Sequence, residues 1–126
     1  MPTREEAIEL FARRRAAWVA ADLEAYLELW ADDMTFQSPV HAEPLRGKPA
    51  FAELVRQSLE LSRPLRFEFD HIAVAGATVL AEWTIAIERR DTRRVIEWRG
   101  MSVCEIHDGK IHAWREYWNP MALMAP

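Results

Sequence analysis

Asp108-Gly109-Lys110-Ile111-His112-Ala113-Trp114-Arg115-Glu116-Tyr117-Trp118-Asn119-Pro120 is the stretch on which the fold turns. Asp-Gly between two apolar-rich runs is a tight hairpin signal. It joins Lys110–Trp118 to a long strand-like run from Val95 to Ile106, so these two segments should pair antiparallel. Further back, Val79 to Ile87 reads as another strand, and Arg66-Phe67-Glu68-Phe69-Asp70-His71-Ile72 alternates as a fourth. Gly76 and the charged Asp91-Thr92 mark the turns between them. The second half of the chain is therefore an antiparallel meander.

Ahead of the meander the period changes to that of helices. Thr3-Arg4-Glu5-Glu6 is a capping box, in which the threonine oxygen caps the helix and Glu6 reaches back. The helix that follows should run to about Ala20, with Ile8, Phe11, Arg15, Trp18 and Val19 on or near one stripe. Asp22 can cap a second helix from Leu23 to Trp30. Met34-Thr35-Phe36-Gln37 reads as a short strand stopped by Ser38-Pro39, and His41 to Gly47 as a loop. Pro49 opens a third helix that reaches about Leu61, with Phe51, Leu54, Val55, Ser58 and Leu59 as its buried stripe and Pro64 closing it. Three helices followed by a meander make an α+β class, and helices on the concave face of a strongly curved antiparallel sheet leave a conical pocket between the layers.

Bulk properties narrow the function. A chain of 126 residues predicts one domain, residues 1–126, large enough for its own core. The formal net charge of −4 argues against nucleic acid or an anionic membrane as the main partner. Cys104 is the single cysteine, which excludes an internal disulfide and a thiolate metal cluster. No apolar run approaches a membrane span and no signal peptide is evident, so the expected location is the cytoplasm.

The element order, the Phe36…Pro39…Gly47-Lys48 loop and the ending Trp-Arg-Glu-Tyr-Trp-Asn-Pro resemble the SnoaL-like group of the nuclear transport factor 2-like superfamily. The resemblance spans nearly the whole chain and implies a cystatin-like α+β roll, a ligand pocket and a homodimer formed through the sheet face. It leaves the activity open among ketosteroid isomerisation, polyketide cyclisation, epoxide hydrolysis, dehydration and ligand binding. Limonene epoxide hydrolase is similar over Val79–Asn119, but its Asp-Arg-Asp positions are held here by Ile85, Trp83 and Asn119. SnoaL-type cyclases also use an aspartate where Asn119 stands, so neither mechanism is expected. The phenazine-biosynthesis A/B proteins share the Arg115–Pro120 ending more closely. That resemblance implies an acid/base role for Glu116 and carries over Ser58, whereas Leu54 occupies the place of their active-site histidine.

Physical chemistry gives each candidate two readings. Glu116 in an apolar, tryptophan-lined pocket would hold its proton to higher pH and could both donate and accept it. On the outer face it would be an ordinary surface carboxylate. Glu116 and Asn119 lie three apart, so a regular strand turns them to opposite faces, Glu116 with His112, Trp114 and Trp118, and Asn119 with Ala113, Arg115 and Tyr117. Asn119 could stabilise an oxyanion, or bind backbone at the strand end. His41 could shuttle protons at the pocket mouth, or stand exposed in its loop. Most of the six tryptophans should be core or interface, some lining the pocket. Candidate substrate contacts are Trp18, Tyr26, Trp30, Ser58, Trp83, Trp98 and Tyr117. No histidine pair has metal-ligand spacing, and neither metal nor cofactor is expected.

Two functions follow. One is a cofactor-independent isomerase, cyclase or dehydratase that moves protons on an apolar cyclic metabolite, with Glu116, Asn119 and His41 as its catalytic set. The other is a pocket protein that binds a hydrophobic small molecule without chemistry. A side-chain-filled cavity would instead leave a module for assembly.

Overall fold

The computed structural model describes residues 1–124. Helix α1 (Arg4–Val19) starts at the expected capping box: the Glu6 N–H donates to Thr3 Oγ1 at 3.1 Å and the Thr3 N–H to Glu6 Oε1 at 3.0 Å. Its buried stripe is Ala7, Leu10, Phe11, Arg14 and Ala17. The stripe expected from the sequence is rotated from this one. Ile8, Arg15 and Val19 are exposed, and the buried arginine is Arg14.

Helix α2 (Leu23–Glu28) is capped by Asp22, whose Oδ1 accepts from the Ala25 N–H at 3.1 Å. It ends before Trp30, which opens strand β1 (Trp30–Gln37) rather than closing the helix. Strand β2 (Leu45–Arg46), inside the stretch expected to be a loop, pairs antiparallel with β1. Helix α3 (Lys48–Leu61) carries Pro49 in its first turn and buries Phe51 and Val55. Strands β3 (Ser62–Ala75), β4 (Thr78–Arg89), β5 (Val95–His107) and β6 (Lys110–Trp118) form the meander, and a short 3-10 helix spans Pro120–Leu123.

The sheet order is β2-β1-β6-β5-β4-β3. It is antiparallel except that β1 runs parallel to β6, so the expected antiparallel sheet is in fact mixed. Helix α3 passes directly into β3, and Pro64 lies inside that strand rather than before it. Proline is tolerated there because β3 is an edge strand and a register shift falls between Pro64 and Arg66. Further shifts occur between Phe69 and His71 and between Glu105 and Ile106. Such irregularities bend a sheet, and the three helices pack on this curved one.

The Asp108-Gly109 turn is as expected: both residues have positive φ, 52° and 72°. Irregular pairing at the start of β6 then resets the alternation. Ile111 and Trp114, three apart, are both fully buried, whereas His112 is only half-buried. From Trp114 onward the strand alternates regularly, and that phase sets the direction of every later side chain.

Candidate functional site

Between the helices and the inner face of the sheet lies a cavity of about 320 Å³. Its sheet wall is Phe67, Trp83, Ile85, Trp98, Glu116 and Trp118. The opposite side is made by Arg14 and Trp18 of α1, Tyr26 of α2, and Phe51, Leu54, Val55 and Ser58 of α3. Ser38, Val40 and His41 come from the loop after β1, and Leu123 from the 3-10 helix. The cavity is open, not filled by side chains.

Glu116 faces this cavity with Trp118, in the phase set by Trp114. Its Oε1 accepts from the Trp114 indole N–H at 2.9 Å and its Oε2 from the Trp118 indole N–H at 2.7 Å. Burial pushes its pKa up from the ordinary carboxylate value. The Arg14 charge, the two indole donors and His41 pull against that shift without cancelling it. Each carboxyl oxygen still has a lone pair for another partner. Burial likewise raises the Tyr26 hydroxyl.

His41 lines the cavity with Nδ1 at 2.7 Å from Ser38 Oγ. Ser38 Oγ also accepts from the Val40 N–H at 3.4 Å, which ties the loop together. With Nδ1 committed to Ser38, Nε2 is the nitrogen left for a bound molecule.

Three candidates fall outside. The Asn119 side chain accepts from the Met121 N–H at 3.0 Å, capping the 3-10 helix, and the residue is exposed outside the cavity. The strand-end reading of Asn119 replaces the oxyanion one, because Pro120 starts a turn that needs a cap. Tyr117 points to the outer face and is 58% exposed, as alternation from Glu116 requires. Trp30 is fully buried in the core, 4.4 Å from the Phe51 ring, because as the first residue of β1 it packs beneath the cavity rather than along it. Trp18, Tyr26, Ser58, Trp83 and Trp98 do line the cavity, Ser58 from an exposed position.

Arg14 was not among the sequence candidates. It is 3% exposed, and its guanidinium carbon lies 4.2 Å from the Trp114 ring centre, 5.0 Å from Phe67 and 5.3 Å from Tyr26. The signal was present but masked by Arg13-Arg14-Arg15. Counting seven on from Ala7 and four back from Trp18 picks out the middle arginine. Two positions that resemblance to epoxide hydrolases gives to charged groups, Trp83 and Ile85, line the cavity with apolar side chains instead. Cys104 is buried, and burial pushes its thiol up to about 12. Among the described residues no group of three or more His, Cys, Asp or Glu could hold a metal ion, and no helix is long and apolar enough to cross a membrane.

The SnoaL-like domain model matches residues 11–114, from the first helix to the middle of the last strand. The chain belongs to the SnoaL-like domain family. This places it in the nuclear transport factor 2-like superfamily, as the fold does. The SnoaL-like chain is 25% identical over 125 residues to the uncharacterized protein YesE of Bacillus subtilis strain 168, covering 94% of this chain and 85% of YesE. A solved Bacillus subtilis structure, provisionally named an isomerase, superposes with a TM-score of 0.86 at 25% identity, covering 97% of this chain and 92% of that one. A limonene-epoxide-hydrolase-like epoxide hydrolase of M. tuberculosis gives 0.81 at 24% identity, covering 98% and 90%, and shares the fold.

Proposed function

We propose that this SnoaL-like protein is a cofactor-independent acid/base enzyme, of isomerase, cyclase or dehydratase type, acting on an apolar cyclic metabolite. The observation that supports it most is the setting of Glu116: a carboxyl in the wall of an otherwise apolar, aromatic cavity, with its proton affinity raised by burial. A carboxylate so placed can remove a proton from carbon next to a carbonyl and return it at another carbon of the conjugated system. His41 Nε2, at the loop side, can hold a substrate oxygen or pass a proton to it. A structural neighbour at 25% identity that is provisionally named an isomerase supports the same reading. The exposed Leu80, Met101 and Tyr117 lie on the outer sheet face, which is consistent with a homodimer formed there.

Binding without turnover is the second reading, favoured by the two indole donors. They hold both carboxyl oxygens and stabilise the charged, non-donating form.

The test is exchange of substrate hydrogen with solvent. Cyclic ketones and enones are incubated in D₂O with wild type and with Glu116→Gln, and exchange next to the carbonyl is followed by NMR. Glutamate-dependent exchange supports the enzyme. Equal, background-level exchange in both proteins supports the binding role.

A further inference from the structure

Every buried, unpartnered side-chain polar atom among the described residues is a donor: Arg14 Nε and Nη1, Trp30 Nε1 and Trp98 Nε1. Arg14 and Trp98 both line the cavity, although these particular nitrogens present essentially no surface to it. Leaving such groups without acceptors is costly, and a guanidinium cannot escape the cost by losing its proton. Stacking on the Trp114, Phe67 and Tyr26 rings returns part of the cost. It supplies no counter-charge.

Glu116 is the natural counter-ion, yet no ion pair joins it to Arg14, and its two oxygens are turned to Trp114 and Trp118. The cavity wall therefore holds a cation that no carboxylate of the described residues pairs with, and a bound anion would complete it.

The remaining wall limits what that molecule is. Among the described residues Arg14 is the single Lys or Arg side chain lining the cavity, which suits one negative charge better than a phosphate dianion. The surfaces of Trp18, Phe67, Trp83 and Trp98 are flat and apolar and suit rings. An apolar cavity of roughly 150 Å³ holds one benzene ring, so about 320 Å³ has room for a second.

We propose that the ligand class is a ring acid: an apolar compound of one or two rings bearing a single carboxylate, which docks on Arg14. The inference rests on the reading of this cavity as a substrate site and adds the chemistry of the substrate to it. Arg14 is then a substrate-binding residue that fixes which end of the ring system faces Glu116.

The probes are 2-naphthoate, ionised at pH 7, and its neutral analogue 2-naphthamide, titrated calorimetrically into wild type, Arg14→Met and Arg14→Lys. Naphthoate should bind wild type at least about tenfold more tightly than the amide. Arg14→Met should erase that preference while amide affinity is little changed, and Arg14→Lys should keep part of it. Methionine fills the space of the arginine stem without charge, and near-UV circular dichroism checks that each variant is folded. The comparison of the two probes on wild type needs no variant at all. Equal affinity in wild type, a preference that survives Arg14→Met, or no binding of either probe would each overturn the inference. Glutamate-dependent hydrogen exchange on neutral ketones would still stand in those cases, so this failure is separable from failure of the enzymatic reading.

Discussion

Arg14 and Glu116 face one cavity from opposite layers, the arginine from α1 and the glutamate from β6, and no ion pair joins them. The relationship is electrostatic at a distance. The guanidinium lowers the carboxyl pKa, burial raises it by more, and the pair is left neither fused into a salt bridge nor independent. A direct bridge would hold Glu116 permanently ionised and occupy the donors of Arg14. Separation leaves both groups available to something between them.

The Glu116 pKa should respond to its neighbours in a fixed direction. Arg14→Met deletes a charge that favours the carboxylate, and Trp118→Phe deletes a hydrogen bond to it. Each change should raise the pKa further above its wild-type value. Carboxyl-carbon NMR titration, with Glu116→Gln for assignment, measures this. A pKa that does not rise in Arg14→Met would mean that the guanidinium does not act on this carboxyl, and a fall in Trp118→Phe would mean that lost burial outweighs the lost hydrogen bond.

Much of this arrangement was legible in the residues, and the parts that were not have physical causes. The Asp108-Gly109 turn and the alternation of Trp114, Glu116 and Trp118 are local, so the sequence displays them directly. Which face of β6 turns inward is not local. It depends on the irregular pairing near His112, and on β1 pairing parallel with β6 across most of the chain length. The spacing of Trp30 from Tyr26 and Leu27 fits a helix, but tertiary pairing with Ile111 claims it for the sheet. Asn119 had two readings of equal merit, and the local one, a cap for the 3-10 helix, is what forms. Arg14 was hidden because a buried, unpaired arginine is improbable on general grounds. Such violations of the usual rules gather at functional sites, where a bound molecule completes the arrangement.

Stability should depend on pH through Glu116 with a definite sign. The folded-state pKa is raised above the ordinary 4.5, so the folded chain binds more protons than the unfolded chain between those two values. Stability therefore falls as pH rises from about 4.5 through the folded-state pKa and is level beyond it. Each tenfold change in the ionisation constant is worth about 1.4 kcal/mol. Glu116→Gln removes this slope. Its amide also sets a donor against one of the two indole N–H groups, a pH-independent loss of about 1 kcal/mol. The difference in unfolding free energy, variant minus wild type, should thus rise with pH across the window. A flat difference in urea titrations at several pH values would place Glu116 in a solvated setting.

Gly100 sets the position of the cavity's sheet wall. It pairs directly with Trp83 across β4 and β5, and a Cβ at position 100 would come within 2.5, 2.8 and 2.9 Å of Trp83 ring carbons. The ring lies over the bare backbone there, with its Nε1–H donating to Ser102 Oγ at 3.2 Å. Trp83 is 1% exposed and packs on Phe67, so it has little room to retreat except toward the cavity. Gly100→Ala should cost about 1–3 kcal/mol through overpacking. It should also weaken 2-naphthoate and 2-naphthamide alike, because a shifted Trp83 narrows the space for rings and leaves Arg14 untouched. Loss of affinity for both probes with their ratio preserved separates this steric effect from the electrostatic one. A stable Gly100→Ala protein with unchanged affinities would show that the Trp83 ring moves freely.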